Sequence, residues 1–331
     1  MTEQTPVPEA AIPITVVTGF LGAGKTSLVN RLVAARSGAE RIGIVVNEAG
    51  DIGLDGDLLG DVSEDVVEIA DGCVCCTSQG DLLDAIGRLR RAAGHLDRII
   101  VETSGLADPG PVVDALANIA HVLRLDTLVT VLDAVHALDQ LDRLQSPEAL
   151  QQVQLATHVV VSKSDIADGD AVEGLRARVR ALNPEAQIVV APRGTLDPEL
   201  LLDRFTFAAR DDEADEAAGH DHDHEDPHAH EHLAVEIFSV ELAGELDAGC
   251  FEGWLGGLIM LKAPDLFRVK AILALAGEPR RQIVHGVQSY VESAPGRDWE
   301  PGERRASRIV VIGRDLDGAR WREELGRCVA G

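Results

Sequence analysis

Residues Gly19-Phe-Leu-Gly-Ala-Gly24-Lys25-Thr26 follow an apolar run and open a helical pattern. This is the G-x-x-x-x-G-K-[ST] spacing of a phosphate-binding loop. The glycines let backbone N–H groups turn inward around an anion, and the helix N-terminus adds partial positive charge. Lys25 is placed to reach β- and γ-phosphates, and the Thr26 hydroxyl is placed to ligate Mg²⁺. The chain has four Lys, at 25, 163, 262 and 270, so a chance match is improbable. Gly19, Leu21, Gly22, Ala23, Gly24, Lys25, Thr26 and Ser27 form the candidate phosphate-binding set.

Two further segments complete a nucleotide site. Arg98-Ile-Ile-Val-Glu102-Thr-Ser-Gly105 reads as an apolar strand ending in an acid, where such folds hold the metal or its water shell. Asp133, ending another apolar run, is a weaker competitor. Ser162-Lys163-Ser164-Asp165 follows the run Val159–Val161. A carboxylate at Asp165 can accept two N–H groups from the guanine edge, and the Lys163 stem can cover the base.

A third chemistry lies in Gly72-Cys73-Val74-Cys75-Cys76-Thr77. Three thiols in four positions cannot all pack in a core, and a following helix favours thiolate. Thiolates suit Zn²⁺ or another soft to borderline metal, with a position left for Glu48, a water or a client group. Cys250 and Cys328 stand alone in the sequence and read as packing residues. Three of the five cysteines are clustered, which is a poor disulfide framework and fits a reducing compartment. Residues His220, His222, His224, His228, His230 and His232 alternate with Asp and Glu, and read as a loose, multi-site collector of Zn²⁺, Ni²⁺, Co²⁺ or Cu²⁺.

The elements that must position these groups follow from hydropathy. Apolar runs at 12–18, 41–46, 98–101, 127–132, 159–161 and 187–190 alternate with helical patterns at 25–35, 81–93, 109–120, 147–156 and 170–182. That alternation predicts an α/β fold with a parallel sheet covered on both faces. After residue 232, strands at 233–242, 267–275, 282–287 and 307–312 with helices at 251–260 and 316–328 predict a small α+β domain. The expected organisation is therefore a nucleotide-binding domain over 1–208, an acidic His-rich linker over 209–232 and a C-terminal domain over 233–331.

The net charge of −26 over 331 residues argues against nucleic acid and anionic membranes as partners. Segment 211–232 contributes −10 of it, and eight acids with no Lys or Arg lie between Asp51 and Asp71, ahead of the cysteines. No apolar run is long enough for a membrane span, and the N-terminus lacks the basic and apolar regions of a secretory signal. A cytoplasmic location is expected.

The motifs GFLGAGKT, VVNEAGD (45–51), GCVCCT (72–77), ETSG (102–105) and SKSD (162–165), with a His-rich stretch and a terminal SRIVVIGRDLD (307–317), resemble the CobW-type metal-handling GTPases. The likeness covers nearly the whole chain. It implies a SIMIBI-type P-loop fold, slow hydrolysis of GTP with Mg²⁺, and metal binding at Cys73, Cys75 and Cys76. Glu48 would link that metal to the nucleotide. The implied task is delivery of Zn²⁺, or of Co²⁺ or Ni²⁺, to a client metalloprotein, with a homodimer as a further expectation. Lys25, Thr26 and Glu102 would serve hydrolysis, and Lys163 and Asp165 the base. Two positions depart from the family pattern: Ala49 stands where Phe is usual, and Ser162 where Asn braces the base loop, which softens the guanine reading. Rival readings are a dedicated assembly factor, for cobalt insertion in cobalamin synthesis or nitrile hydratase activation, a nickel-insertion GTPase, and a metal-buffering module with a vestigial nucleotide site.

Overall fold

A computed structural model describes residues 11–46, 66–70, 79–105, 107–144, 146–205 and 235–330. They fall into two compact units, one before and one after the His-rich segment. The expected boundaries at 208 and 233 lie outside the described residues.

The first unit is built on a seven-stranded parallel sheet in the order β3-β2-β4-β1-β5-β6-β7. Its strands are β1 (Ile12–Gly19), β2 (Ile42–Val46), β3 (Val66–Ala70), β4 (Arg98–Glu102), β5 (Leu123–Asp133), β6 (His158–Ser162) and β7 (Gln187–Ala191). Helices α1 (Lys25–Arg36), α2 (Gln79–Ala93), α3 (Gly110–Asn118), α4 (Pro147–Leu155) and α5 (Gly169–Leu182) connect them. The central strands are apolar runs because both of their faces are covered; all five residues of β4 are buried. β1 sits between β4 and β5, where the winding of the sheet reverses, so the loop after β1 opens at the switch point that admits ligands.

One polar knot crosses this core. Arg98 at the start of β4 is 2% exposed, and it pairs with Glu40 at 2.9 Å, with Asp126 at 3.0 Å and with Asp203. Asp126 is the residue skipped in the β1–β5 register. That bulge turns its carboxylate to Arg98 and to the N–H groups of Asp203 and Phe205, at 2.8 and 2.7 Å. Burial pushes the Asp126 carboxyl up, and the N–H group of Phe205 is the largest influence opposing it. The knot thus fixes the amino end of the strand whose carboxyl end carries Glu102.

The second unit is an antiparallel five-stranded sheet, β11-β10-β9-β12-β8. It comprises β8 (Glu236–Ala243), β9 (Leu266–Leu273), β10 (Arg280–Val287), β11 (Tyr290–Asp298) and β12 (Ala306–Gly313), with α6 (Ala248–Lys262) and α7 (Gly318–Gly326). Phe238, Phe251, Leu255, Val269 and Ile309 share a core with Trp254 of α6 and Trp321 of α7. The two indoles meet edge to face at 6.2 Å.

β3 and β11 were not expected from sequence. Each is an edge strand. β3 carries Glu68, and β11 carries Pro295 and Gly296, residues that weaken a strand pattern yet are tolerated where only one neighbour is paired. The reading of Cys250 and Cys328 as lone packing residues is also corrected: they form a disulfide, with Cα atoms 5.4 Å apart. Their separation of 78 positions hides a proximity that only the docking of the chain end beside α6 creates.

Candidate functional site

The P-loop joins β1 to α1. Gly24 caps α1 with a left-handed backbone, φ 100°, which a side chain would strain. The first turn of α1 has no side-chain cap and no acid, so its N–H groups face the loop as anion donors. Lys25 is buried, and its Nζ donates to the Phe20 carbonyl at 3.2 Å, which curls the loop around the ammonium. Leu21 stands at the loop tip, 69% exposed.

The Thr26 hydroxyl donates to Glu102 Oε1 at 2.9 Å. Two hard oxygen donors in contact, one of them a buried carboxylate, fit Mg²⁺. Asp133 does not compete. Its Oδ2 pairs with Lys163 Nζ at 2.5 Å, and its Oδ1 accepts the Val135 N–H at 2.8 Å. The structure thus brings Lys25, Thr26 and Glu102 together and draws Asp133 into the base loop.

The segment after Glu102 is held from two sides. Gly105 lies so close to the P-loop that a Cβ there would stand 2.6 Å from the Leu21 nitrogen. From behind, Gln152 of α4, fully buried, donates from Nε2 to the carbonyls of Ala107 at 2.9 Å and Gly105 at 3.4 Å. Thr130 of β5 in turn donates to the Gln152 carbonyl at 2.5 Å. Sequence reading missed Gln152. It lies 45 to 47 positions from the carbonyls it holds. The available signal was three glutamines, Gln151, Gln152 and Gln154, among the apolar residues of one short helix.

Ser162 ends β6, Lys163 and Asp165 follow it, and with Gly24 and Ser27 they line a cavity of about 380 Å³ beside the P-loop. The Ser162 hydroxyl lies 2.7 Å from the Ala23 carbonyl and 3.2 Å from the Leu132 carbonyl. It therefore spans from the base loop to the P-loop, a brace that needs no Asn side chain. Lys163 has a left-handed backbone, φ 55°. Asp165 Oδ1 accepts the peptide N–H of Arg193 at 2.8 Å.

Cys73, Cys75, Cys76, Glu48 and the six histidines from His220 to His232 lie outside the described residues. Their neighbours in the sheet are described. Val46 ends β2 and pairs with both Ala70, which ends β3, and Glu102. Ala70 is thus two strand spacings, about 10 Å, from Glu102 at the same edge of the sheet. Among the described residues, no group of three or more His, Cys, Asp or Glu could hold a metal ion. No helix among them is long and apolar enough to cross a membrane.

Comparison with known proteins agrees with this geometry. The family model for the CobW/HypB/UreG nucleotide-binding domain matches residues 13–190, and that for the cobalamin synthesis protein cobW C-terminal domain matches residues 235–329. A Sinorhizobium protein named zinc chaperone CobW is 33% identical, over 96% of this chain and 97% of its own length. Zinc chaperone YjiA of Escherichia coli is 29% identical, over 97% of this chain and 98% of its own. The crystal structure of Zn(II)-bound YjiA GTPase superimposes with a TM-score of 0.67 at 26% identity, covering 97% of this chain and 99% of that one. The P-loop, the Thr26–Glu102 contact and these two matched domains together make this chain a member of the CobW/HypB/UreG family of P-loop GTPases, of the kind that carries a CobW C-terminal domain.

Proposed function

We propose that this chain is a GTP-driven metallochaperone. It carries a transition metal, zinc first, on Cys73, Cys75 and Cys76, and passes it to a client metalloprotein in the cytoplasm. The relatives named zinc chaperones support the cargo. One observation carries the coupling: the strand that leads into the cysteines ends at Ala70, in the same register row as Val46, Glu102 of the nucleotide site and Val17 of the strand before the P-loop. The run Asn47–Asp51, with Glu48, follows Val46 in the sequence. A change at the γ-phosphate therefore has a short path to the metal.

The residues divide the work. Lys25 and the first turn of α1 hold the β- and γ-phosphates and offset the charge that develops on them. Thr26 and Glu102 would hold Mg²⁺, which when bound screens the phosphate oxygens. Gln152 and Gly105 keep the loop after Glu102 against the P-loop. Lys163 and Asp165 read the base, with Ser162 as brace. The histidines of 220–232, in a segment 211–232 that carries ten acids, would concentrate cations at low affinity.

The test is a zinc titration of the full chain with and without a non-hydrolysable GTP analogue. The wild type should bind zinc with an affinity shifted about tenfold or more by the analogue, a coupling of about 1.4 kcal/mol. Replacing Cys73, Cys75 and Cys76 by Ala should abolish the shifted site. Deleting 211–232 should remove only weak sites. Zinc affinity that ignores the nucleotide, together with GTP hydrolysis that ignores Cys75→Ala, would leave a metal buffer and sink the coupling.

A further inference from the structure

Asp165 is the residue that should read guanine, yet the structure gives it a companion that no motif announces. Arg193, in the turn after β7, donates its peptide N–H to Asp165 Oδ1 at 2.8 Å, and its Nε lies 3.6 Å from Oδ2. This is its one ion pair among the described residues. Both residues line the cavity beside the P-loop. Arg193 holds a left-handed backbone, φ 52°, costly for a residue with a Cβ, although Gly194 stands next to it. Its side chain is 84% exposed, so no packing role accounts for the arginine. Strain of this kind gathers where a ligand is held.

We propose that Arg193 is a base-binding residue: its peptide N–H fixes Asp165 in the orientation that reads guanine, and its guanidinium closes over a face of the purine. This rests on the cavity being the base site. A carboxylate has about four lone-pair positions, so one N–H from Arg193 leaves room for the two from guanine. When the base enters, the guanidinium leaves its loose ion pair with Oδ2, and its flat cation covers the π face. The stem of Lys163, whose amine is tied to Asp133, forms another part of the wall. The base is then gripped by two side chains from separate loops, each on a left-handed backbone.

The test is equilibrium binding of fluorescent GDP, IDP, XDP and ADP to the full chain. Arg193→Gln keeps length without charge, and Arg193→Gly removes the side chain while relieving the backbone. Both should weaken GDP and IDP alike by about tenfold, because stacking does not sense the 2-amino group. Asp165→Asn serves as control and should exchange GDP preference for XDP. If both Arg193 variants bind GDP within about twofold of wild type while Asp165→Asn still switches preference, Arg193 is not part of the site and the base site stands. A loss confined to GDP would place the whole effect in Asp165 and overturn the covering role. If Asp165→Asn also changes nothing, the base site itself falls.

Discussion

At position 162 one hydroxyl reaches from the base loop to the P-loop carbonyl of Ala23. A hydrogen bond of this kind contributes about 1 kcal/mol, so Ser162→Ala should weaken guanine-nucleotide binding about fivefold, measured by equilibrium binding, and Ser162→Asn should bind at least as well as wild type. Gly105 makes the opposite demand, for absence of a side chain. Gly105→Ala must push the loop after Glu102 away from Leu21, and steady-state kinetics should show kcat falling by about tenfold or more. Legibility at this scale follows contiguity. Lys25 and Thr26 sit in one unbroken motif, and Glu102 ends a visible strand. Gln152 and Arg193 act from a helix and a turn far along the chain, through backbone carbonyls and a peptide N–H. Contacts made with backbone leave little pattern of residue types to find: the glutamines of α4 at Gln152, and none at Arg193.

At the scale of elements, the central strands were readable because burial on both faces forces unbroken apolar runs. Two of the four edge strands were not: β3 and β11 each answer to one neighbour and tolerate Glu68 in the one and Pro295 and Gly296 in the other. β4 shows how an element positions chemistry, since its buried Arg98 anchors one end and Glu102 works at the other. Arg98→Met would strand Asp126 in the core. Chemical denaturation at neutral pH should show a loss of about 3–5 kcal/mol. Burial already raises the Asp126 carboxyl, and the variant removes a cation that lowers it. A group with a raised folded-state pKa costs stability at high pH and relieves that cost as it takes up its proton, so the deficit should shrink on acidification.

Across the whole molecule the two units differ in what acid does to them. Glu303 of the C-terminal unit accepts paired N–H groups from Arg297 at 3.0 and 3.1 Å and the Glu300 N–H at 2.8 Å. The Arg297 contact, with the backbone contact and Arg281 behind it, holds its carboxyl down at about 2. A depressed carboxylate gives stability above its ordinary value near 4.5 that is lost as pH falls toward 2. Glu303→Gln should therefore melt below wild type at pH 6, and the gap in melting temperature should close between about pH 4.5 and 2. A constant gap over that range would mean that the charge is not what the arginines hold.

The bond between Cys250 and Cys328 bears on stoichiometry. It leaves Cys73, Cys75 and Cys76 as the cysteines outside it, three of five. Thiol titration of unreduced native chain should accordingly count three, and five after denaturing reduction. Strong reductant frees a second pair of soft ligands that the folded chain keeps side by side, with Cα atoms 5.4 Å apart. Zinc counted in such a buffer would include ions held by that opened pair, inflating the apparent load without adding to what a client could receive.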